Sequence, residues 1–342
     1  MRTKYKILIV SGIYFLGVAC SSSTQEIKPE ELFSVPANFP APVYDLSKNP
    51  ITQGGFELGR ELFYDGDLSR DGSVSCAECH NQSYAFTHHG HDISHGIDNL
   101  RGMRNAPPVQ NMAFYKEFFW DGGVFDLDLF SIAPIENPVE MDEKLGNVLE
   151  KLRKKEKYAT LFQKAYGSKE ITTERFLKAL SQFMVTLVSA SSRYDKYIRK
   201  ESGGTLNSDE LAGLEIFKQK CASCHAGELF TDQSYRNNGI AVYNVEDTGR
   251  EQITQNVSDK YKYKVPSLRN VAITAPYMHD GRFYTLEAVL NHYHEGIVQS
   301  ATLDNSLKKG IQATSAERTK LIAFLKTLTD EQFLKDKRFA AP

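Results

Sequence analysis

The feature that most constrains this chain is a pentapeptide, Cys-x-x-Cys-His, that occurs twice. The first copy occupies residues 76–80 and the second occupies residues 221–225. On a helix, positions i, i+3 and i+4 lie on one face, so the two thiols and the imidazole can point the same way. The thiols can then bond the vinyl groups of one haem while the imidazole ligates its iron. The chain is therefore predicted to carry two covalently bound c-type haems.

Each copy supplies two attachment points and one axial ligand. They are Cys76, Cys79 and His80 in the first copy, and Cys221, Cys224 and His225 in the second. A four-cysteine zinc site is one alternative, but it needs no histidine after each pair, and 145 residues are too many for a zinc ribbon. A thioredoxin-like redox site needs one such motif rather than two. Haem attachment is the preferred interpretation.

The N-terminus predicts export. Three basic residues among the first six precede an apolar run over 7–19, which is too short to span a bilayer as a helix. Residues 1–19 are therefore predicted to be a signal peptide. Cys20 follows where a bacterial lipoprotein is cleaved and lipidated, although Gly17 stands where leucine is usual. A periplasmic protein anchored to the membrane through Cys20 is preferred, and plain secretion is the alternative.

The charge composition limits the classes of binding partner that can be expected. The formal net charge is −2, and it moves towards −5 once the basic signal peptide is removed. No basic stripe is evident, so nucleic acid is not expected as a partner. Residues 20–44 are rich in serine, proline and polar residues and are predicted to be a tether.

The remaining chain divides into two similar halves. A glycine-containing segment ending in phenylalanine precedes each haem motif, at 59–63 and 213–217. An apolar-periodic helix is predicted near the end of each half, over 176–187 and 321–328. A Gly-Gly break within 201–205 separates the halves.

The predicted fold is mainly α, with two cytochrome c-like haem domains in tandem and long loops in each. The N-terminal domain is expected over residues 45–200 and the C-terminal domain over residues 201–342. Loops such as 81–112 and 229–270 are expected to line the haems.

Several short segments besides the haem motifs carry a family signal. They are Arg-Asn-Ala-Pro at 104–107, Phe-Trp-Asp-Gly at 119–122, Asn-Pro-Val-Glu-Met at 137–141, Val-Pro-Ser-Leu-Arg-Asn at 265–270 and Thr-Ala-Pro-Tyr-Met-His-Asp-Gly at 274–281. Through them, nearly all of residues 50–330 resembles the bacterial di-haem cytochrome c peroxidases. The chain also resembles a sister group, typified by the di-haem enzyme that matures the tryptophan-derived cofactor of methylamine dehydrogenase.

The resemblance implies a role for each haem. The N-terminal haem would react with hydrogen peroxide, and the C-terminal haem would receive electrons and pass them inward. Trp120, the single tryptophan, falls where the family places a tryptophan between the haems, although a buried aromatic at a domain interface is also expected there. Glu140 matches the family's distal acid, with a surface glutamate after Pro138 as the alternative.

The resemblance also implies a calcium ion between the domains. Asn105 and the backbone carbonyls of Thr274 and Pro276 fall where the family binds it. Calcium prefers such oxygen ligands.

Departures from the family pattern concern both haems. The histidine that blocks the peroxidatic iron in many oxidised peroxidases falls on Ile97, which cannot ligate, so this iron is expected to stand open unless a nearby histidine substitutes. The neighbouring histidines are His88, His89, His91 and His95, and a histidine-rich loop in solvent is the alternative. The sixth ligand of the C-terminal haem falls on Tyr293, with Met278, His292 and His294 as competitors.

Two further departures make the peroxidatic pocket less polar than is usual. Phe130 stands where the family often has glutamine, and Gly123 stands where it often has arginine.

Three functions follow from these observations. The preferred one is reduction of hydrogen peroxide with electrons from a small c-type cytochrome or similar periplasmic donor. The alternatives are a di-haem oxidase that uses peroxide-derived high-valent iron on another substrate, and a non-enzymatic di-haem electron carrier. The family is often dimeric, so a homodimer is among the expected states.

Overall fold

The computed structural model describes residues 29–242 and 246–342. The predicted signal peptide, Cys20 and the first part of the tether lie outside the described residues. The α-helices are α1 (Pro29–Leu32), α2 (Gln53–Phe63), α3 (Cys76–Cys79), α4 (Leu127–Phe130), α5 (Ile132–Glu136), α6 (Leu145–Arg153), α7 (Glu156–Tyr166), α8 (Thr173–Thr186), α9 (Arg193–Ile198), α10 (Ser208–Lys220), α11 (Glu251–Thr254), α12 (Leu286–Asn291), α13 (Ser315–Lys326) and α14 (Glu331–Lys335).

The remaining regular structure is short. Strands β1 (Tyr235–Arg236) and β2 (Tyr263–Lys264) pair antiparallel, with Tyr235 opposite Lys264. A π-helical turn, His292–Gly296, continues α12. The 3₁₀ turns are Gly66–Leu68, Gln82–Tyr84, Ile97–Asn99, Met112–Phe114, Val257–Asp259, Val271–Ile273 and Asn305–Leu307. The prediction of a mainly helical protein is confirmed.

The same helix pair recurs in each half. Helix α2 packs against α8, and α10 packs against α13. A glycine lies at both crossings: an added methyl would lie 2.0 Å from the Ala179 oxygen at Gly59, and 2.0 Å from the Lys320 oxygen at Gly213. Any larger residue would push the helices apart, so these two glycines permit the close approach.

Each haem motif also sits beside a cluster of three phenylalanines. In the first half, Phe63 packs against Phe86 and Phe183, with ring centroids 5.9 and 5.1 Å apart. In the second half, Phe217 packs in the same way against Phe230 and Phe324, at 5.5 and 5.2 Å. In both clusters the members are the residue ending the pre-motif segment, a residue soon after the motif, and one from the later helix. The internal repeat thus extends to the packing of the core.

The cores divide differently from the expected boundary at residue 200. Tyr194 of α9 belongs to the second core, although it precedes that boundary. Phe333 and Phe339 from the C-terminal segment belong to the first core, and Tyr64 donates a 2.8 Å hydrogen bond to the Phe339 carbonyl. The two halves are therefore interlocked, because each contributes a segment to the core of the other.

Both apolar helices begin before the predicted starts. Helix α8 begins after Thr172, whose hydroxyl accepts a hydrogen bond from the Arg175 backbone N–H. Helix α13 begins after Thr314, which forms a capping box with Glu317. Caps satisfy backbone groups at a helix start, independently of apolar periodicity, so the apolar pattern alone placed these starts too late.

Candidate haem sites and active site

The first haem motif is a single helical turn, α3, followed by His80. The His80 backbone N–H donates to the Cys76 carbonyl at 2.9 Å, which closes the turn. The His80 ring is oriented by a 2.8 Å hydrogen bond from Nδ1 to the Phe86 carbonyl. When Nδ1 carries the proton, Nε2 presents a lone pair for a metal. This arrangement suits an axial ligand.

The second motif uses the same chemistry in a turn rather than an α-helix. The His225 backbone N–H donates to the Cys221 carbonyl at 3.0 Å. Its Nδ1 lies 3.2 Å from the Phe230 carbonyl and 3.1 Å from the Pro266 carbonyl. Phe86 and Phe230, which orient the two histidines, both have left-handed backbone, with φ of 60° and 54°. Such φ values are uncommon for bulky residues, so their repetition marks a shared local structure.

Burial shifts the pKa values of the cysteines and histidines in both motifs. It raises the pKa of Cys76 to about 12, of Cys79 to about 11 and of Cys221 to about 12. It lowers the pKa of His80 to about 4 and also lowers that of His225. Both imidazoles are therefore neutral at neutral pH, which is the form that ligates iron. None of the four motif cysteines forms a disulfide.

A cavity of about 240 Å³ lies beside the second motif. Cys221, Cys224 and His225 are on its wall, and Met278 and Tyr293 also face it. Its apolar lining includes Phe217, Leu286, Leu290, Leu321 and Leu325. Two thiols and an imidazole are the groups that bond a covalently held haem, and apolar residues enclose it. These residues therefore fit the predicted haem.

Two candidate sixth ligands of this haem approach one donor. The Asn238 side-chain nitrogen lies 3.4 Å from Met278 Sδ and 3.5 Å from Tyr293 Oη. The competing His292 bonds through Nε2 to the Asn238 carbonyl at 3.0 Å, and His294 Nδ1 lies 3.4 Å from the Ile311 carbonyl. Tyr293 and Met278 therefore stay the leading candidates.

Glu140 is brought beside the first motif. Its carboxylate accepts a 2.8 Å hydrogen bond from the Asn137 amide. Burial raises its pKa, and its negative charge contributes to the raised pKa values of Cys76 and Cys79. A partly buried carboxyl near the attachment point differs from the alternative of a glutamate on the open surface.

Ile97 contacts the backbone of Glu140. Its side chain is fully buried, and its backbone N–H donates to the Glu140 carbonyl at 2.8 Å. The adjacent Gly96 touches the Glu140 backbone, where an added methyl would lie 2.3 Å from the carbonyl oxygen. An aliphatic side chain therefore stands next to the expected acid–base residue, where it offers no ligand.

The neighbouring histidines occupy different environments. His89 is exposed and stacks on Tyr84, with ring centroids 4.1 Å apart. His91 and His95 are partly buried and bond through Nδ1 to the Ile93 carbonyl and the Asn99 side chain. His88 is buried, and neither ring nitrogen has a hydrogen-bond partner. The alternative of a solvent-exposed, histidine-rich loop therefore holds for His89 but not for His88.

The two positions that depart from the family pattern are Phe130 and Gly123. Phe130 lies among aromatic residues, and Gly123 lies in a tightly packed turn. Phe130 stacks on Phe119, with ring centroids 4.8 Å apart. The Gly122–Gly123 turn is covered by Arg250, which donates to the Asp121 carbonyl at 2.8 Å, and by Ile253. The arginine that the family often has at position 123 is thus missing, while Arg250 lies against the same turn.

Trp120 lies on the wall of the cavity beside the second motif. It lines the 240 Å³ cavity and also a smaller cavity of about 70 Å³ that Phe119 and Phe130 share. Its indole N–H donates to the Asn105 carbonyl at 2.8 Å. The tryptophan is thereby held by the loop that carries the expected calcium residue.

Two of the predicted calcium residues, Asn105 and Pro276, meet at the boundary between the halves. The Asn105 side-chain amide lies 2.5 Å from the Pro276 carbonyl and 3.3 Å from the Met278 carbonyl, and Thr274 lines the adjoining cavity. Amide orientation is assigned from hydrogen bonds; the reverse orientation would turn Oδ1 towards these carbonyls, as a cation would require. Among the described residues, no three His, Cys, Asp or Glu side chains form a metal site, so calcium would depend on neutral oxygens.

Sequence reasoning missed Asn238 and the ion pairs of Arg104. Arg104 bonds Asp247 at 2.6 and 2.8 Å and Asp121 at 2.5 Å, which ties the two halves together. Asn238 lies far in sequence from Met278 and Tyr293, and no motif surrounds it. Only the folded chain reveals either relationship.

Comparisons with known proteins identify the family to which the chain is similar. The family described as di-haem cytochrome c peroxidase matches residues 53–203. The methylamine utilization protein MauG of Methylorubrum extorquens is 35% identical over 332 residues, covering 95% of this chain and 93% of that protein. The cytochrome c551 peroxidase of Nitrosomonas europaea is 36% identical over 282 residues, covering 81% and 80%.

A solved structure gives the same result. A MauG-like protein associated with microbial copper homeostasis superposes with a TM-score of 0.83 at 32% identity. The match covers 91% of this chain and 99% of that one.

Proposed function

The chain belongs to the family of di-haem cytochrome c peroxidases and MauG proteins, and on that premise we propose that it reduces hydrogen peroxide to water. The electrons would come from a small c-type cytochrome or a similar periplasmic donor. One peroxide, two protons and two electrons give two waters. The haems, when bound, supply the electron storage and the iron at which the O–O bond is cleaved. The observation that carries the proposal is Glu140, a partly buried carboxyl beside the first haem motif.

Glu140 would move the protons. Cleavage of the O–O bond needs a group that takes a proton from the near oxygen of peroxide and delivers one to the far oxygen. A carboxyl whose pKa is raised by burial can both accept and return a proton. The hydrogen bond from Asn137 orients the carboxylate, and Ile97, whose backbone N–H bonds the Glu140 carbonyl, offers no competing ligand.

Trp120 would carry the contact between the two haems. Trp120 lines the cavity of the second motif and also a smaller cavity that it shares with Phe119 and Phe130, and its N–H donates to the Asn105 carbonyl. A rigid aromatic ring in this position supports electron transfer from the C-terminal site, near His225, to the N-terminal site, near His80. Asn105, Thr274 and Pro276 would bind calcium next to this contact.

A second candidate is a di-haem oxidase that uses peroxide to modify another substrate. The observation that favours it is Tyr293, an oxygen donor that faces the same cavity as His225. The 35% identity to a methylamine utilization protein supports it also. A simple electron carrier is less well supported, because ligands on both sides of both irons are expected there, and Ile97 has none to offer.

The location would be periplasmic. The predicted signal peptide supports export, and lipidation of Cys20 would tether the protein to the membrane. In the described part of the chain, no helix has the length and apolarity needed to cross a membrane. A homodimer is the proposed assembly, by analogy with the family.

The test uses the haem-loaded protein with a reduced c-type cytochrome and hydrogen peroxide. Peroxide-dependent oxidation of the cytochrome is expected, and Glu140→Gln should slow it by about a hundredfold or more. Glu136→Gln is the matched control, because Glu136 is an exposed glutamate close by. No turnover with several donors, together with a long-lived oxidised spectrum after peroxide, would favour the oxidase. No reaction with peroxide at all would leave only the carrier.

A further inference from the structure

One side chain touches both candidate ligands of the C-terminal haem. The Asn238 amide nitrogen lies 3.4 Å from Met278 Sδ and 3.5 Å from Tyr293 Oη. Asn238, Met278 and Tyr293 all line the cavity that also contains His225. The two candidates therefore compete for the same donor as well as for the same iron.

The backbone around Asn238 is held on both sides. Its carbonyl accepts a 3.0 Å hydrogen bond from His292, the residue that immediately precedes Tyr293. The preceding Asn237 is 3% exposed and accepts a 2.8 Å hydrogen bond from the Gly239 N–H. Gly239 has a φ of 71° and packs against Ile297, so a side chain would be strained there. The donor and Tyr293 are thus fixed to each other through His292.

The chemistry of the donor discriminates between the two candidates. An amide N–H bonds a thioether sulfur weakly. A hydrogen bond to an ionised oxygen is roughly twice as strong as a bond between neutral groups. When tyrosine ligates ferric iron, its oxygen carries negative charge and gains more from the amide than methionine sulfur does.

We propose that Asn238 is a positioning residue that selects Tyr293 over Met278 as the sixth ligand of the C-terminal haem. The amide would donate to the ligating oxygen and hold it in the cavity that His225 also lines. This inference rests on the proposed haem assignment but does not depend on the reaction with peroxide. A ferric protein that has never met peroxide is therefore sufficient to test it.

The experiment compares ferric wild type with Asn238→Leu, which removes the donor and keeps a similar size. Resonance Raman spectra detect tyrosinate bound to iron, and electron paramagnetic resonance separates histidine–tyrosine from histidine–methionine ligation. Wild type should show tyrosinate. In Asn238→Leu, the ratio of tyrosine-ligated to methionine-ligated haem should fall by about tenfold or more, the value of one hydrogen bond to a charged group.

Two further variants keep the result interpretable. Asn238→Ser retains a donor and should fall between wild type and Asn238→Leu, and it decides the question if Asn238→Leu fails to bind two haems. In Asn238→Leu with Met278→Leu, the methionine signature should disappear. An unchanged tyrosinate signature in Asn238→Leu would overturn the role of Asn238. A wild type without tyrosinate would overturn the inference as well, while peroxide turnover would still be open to the separate assay.

Discussion

The backbone N–H of Ile97 donates a 2.8 Å hydrogen bond to the backbone carbonyl of Glu140. This contact joins the residue that replaces a blocking histidine to the residue expected to handle protons. Because it uses only backbone atoms, replacing either side chain leaves the contact in place. The absence of a ligand at position 97 and the acid–base role at position 140 can therefore be tested separately.

The reaction with peroxide should depend on the ionisation of Glu140. Burial raises the pKa of this carboxyl above 4.5, and only the ionised form accepts a proton. The rate constant should therefore fall as the pH falls through the raised pKa. Stopped-flow measurements across the acid range should show this limb in wild type. Glu140→Gln should lose the limb and about a hundredfold or more in rate, whereas an acid limb that persists in the variant would exclude Glu140 as the base.

The open state of the N-terminal iron should depend on Ile97. The Ile97→His variant restores the imidazole that many family members have at this position, where it would ligate the ferric iron. We expect a six-coordinate low-spin spectrum for this haem and turnover that begins only after prior reduction. Ile97→Leu, which changes shape without adding a ligand, should behave as wild type does. A wild-type ferric spectrum that is already low-spin at both haems would show that another residue, such as His88, blocks the iron.

Calcium should stabilise the junction between the halves through Asn105. A ligand that binds only the folded state adds about 2.7 kcal/mol at a hundredfold excess over its Kd. The melting temperature of wild type should therefore rise with calcium and fall after chelation. Asn105→Ala should weaken or abolish this dependence while keeping the carbonyl that bonds Trp120. An equal calcium response in both proteins would place the ion elsewhere.

The buried ion pair between Arg269 and Asp195 should matter for stability. Two hydrogen bonds of 2.8 and 2.9 Å join the side chains, which are 1% and 0% exposed. Asp195→Asn should lower the free energy of unfolding by about 3–5 kcal/mol, because it leaves a buried charge unpaired. Replacing both residues, as Asp195→Asn with Arg269→Met, should cost less than the single change. Urea denaturation of the haem-loaded proteins measures both.

The same pair predicts a dependence on acid. Burial acts to raise the pKa of Asp195, but hydrogen bonds from Arg269 outweigh it and hold the pKa below 3.8. A carboxyl with a lowered pKa in the folded state stabilises the protein at pH values above its unfolded-state pKa. This stabilisation is lost as the pH falls through the folded-state pKa. Wild type should therefore lose stability in acid more steeply than the double variant. If stability falls equally steeply with pH in wild type and in the double variant, Asp195 has the same pKa in the folded and unfolded states.

Sequence patterns predicted those parts of the structure that depend on residues close together in the chain. The Cys-x-x-Cys-His motifs each form a tight turn with an oriented histidine, because their spacing fixes the turn. The pre-motif glycines recur in the sequence, but the close helix crossings that require them, at Ala179 and Lys320, involve partners far along the chain. The domain boundary was less predictable, because Phe333 and Phe339 return to the first core without any local signal.

The sequence by itself determined the two haem motifs, the helical class and the residues that mark the family. Only the tertiary structure decided which of these residues meet: Ile97 with Glu140, Trp120 with Asn105, and Asn238 with both Met278 and Tyr293. The physical reason is that a motif encodes backbone geometry over a few residues, whereas a site is made by side chains from distant loops. Their distances depend on how the helices pack, and the close approaches at Gly59 and Gly213 set that packing.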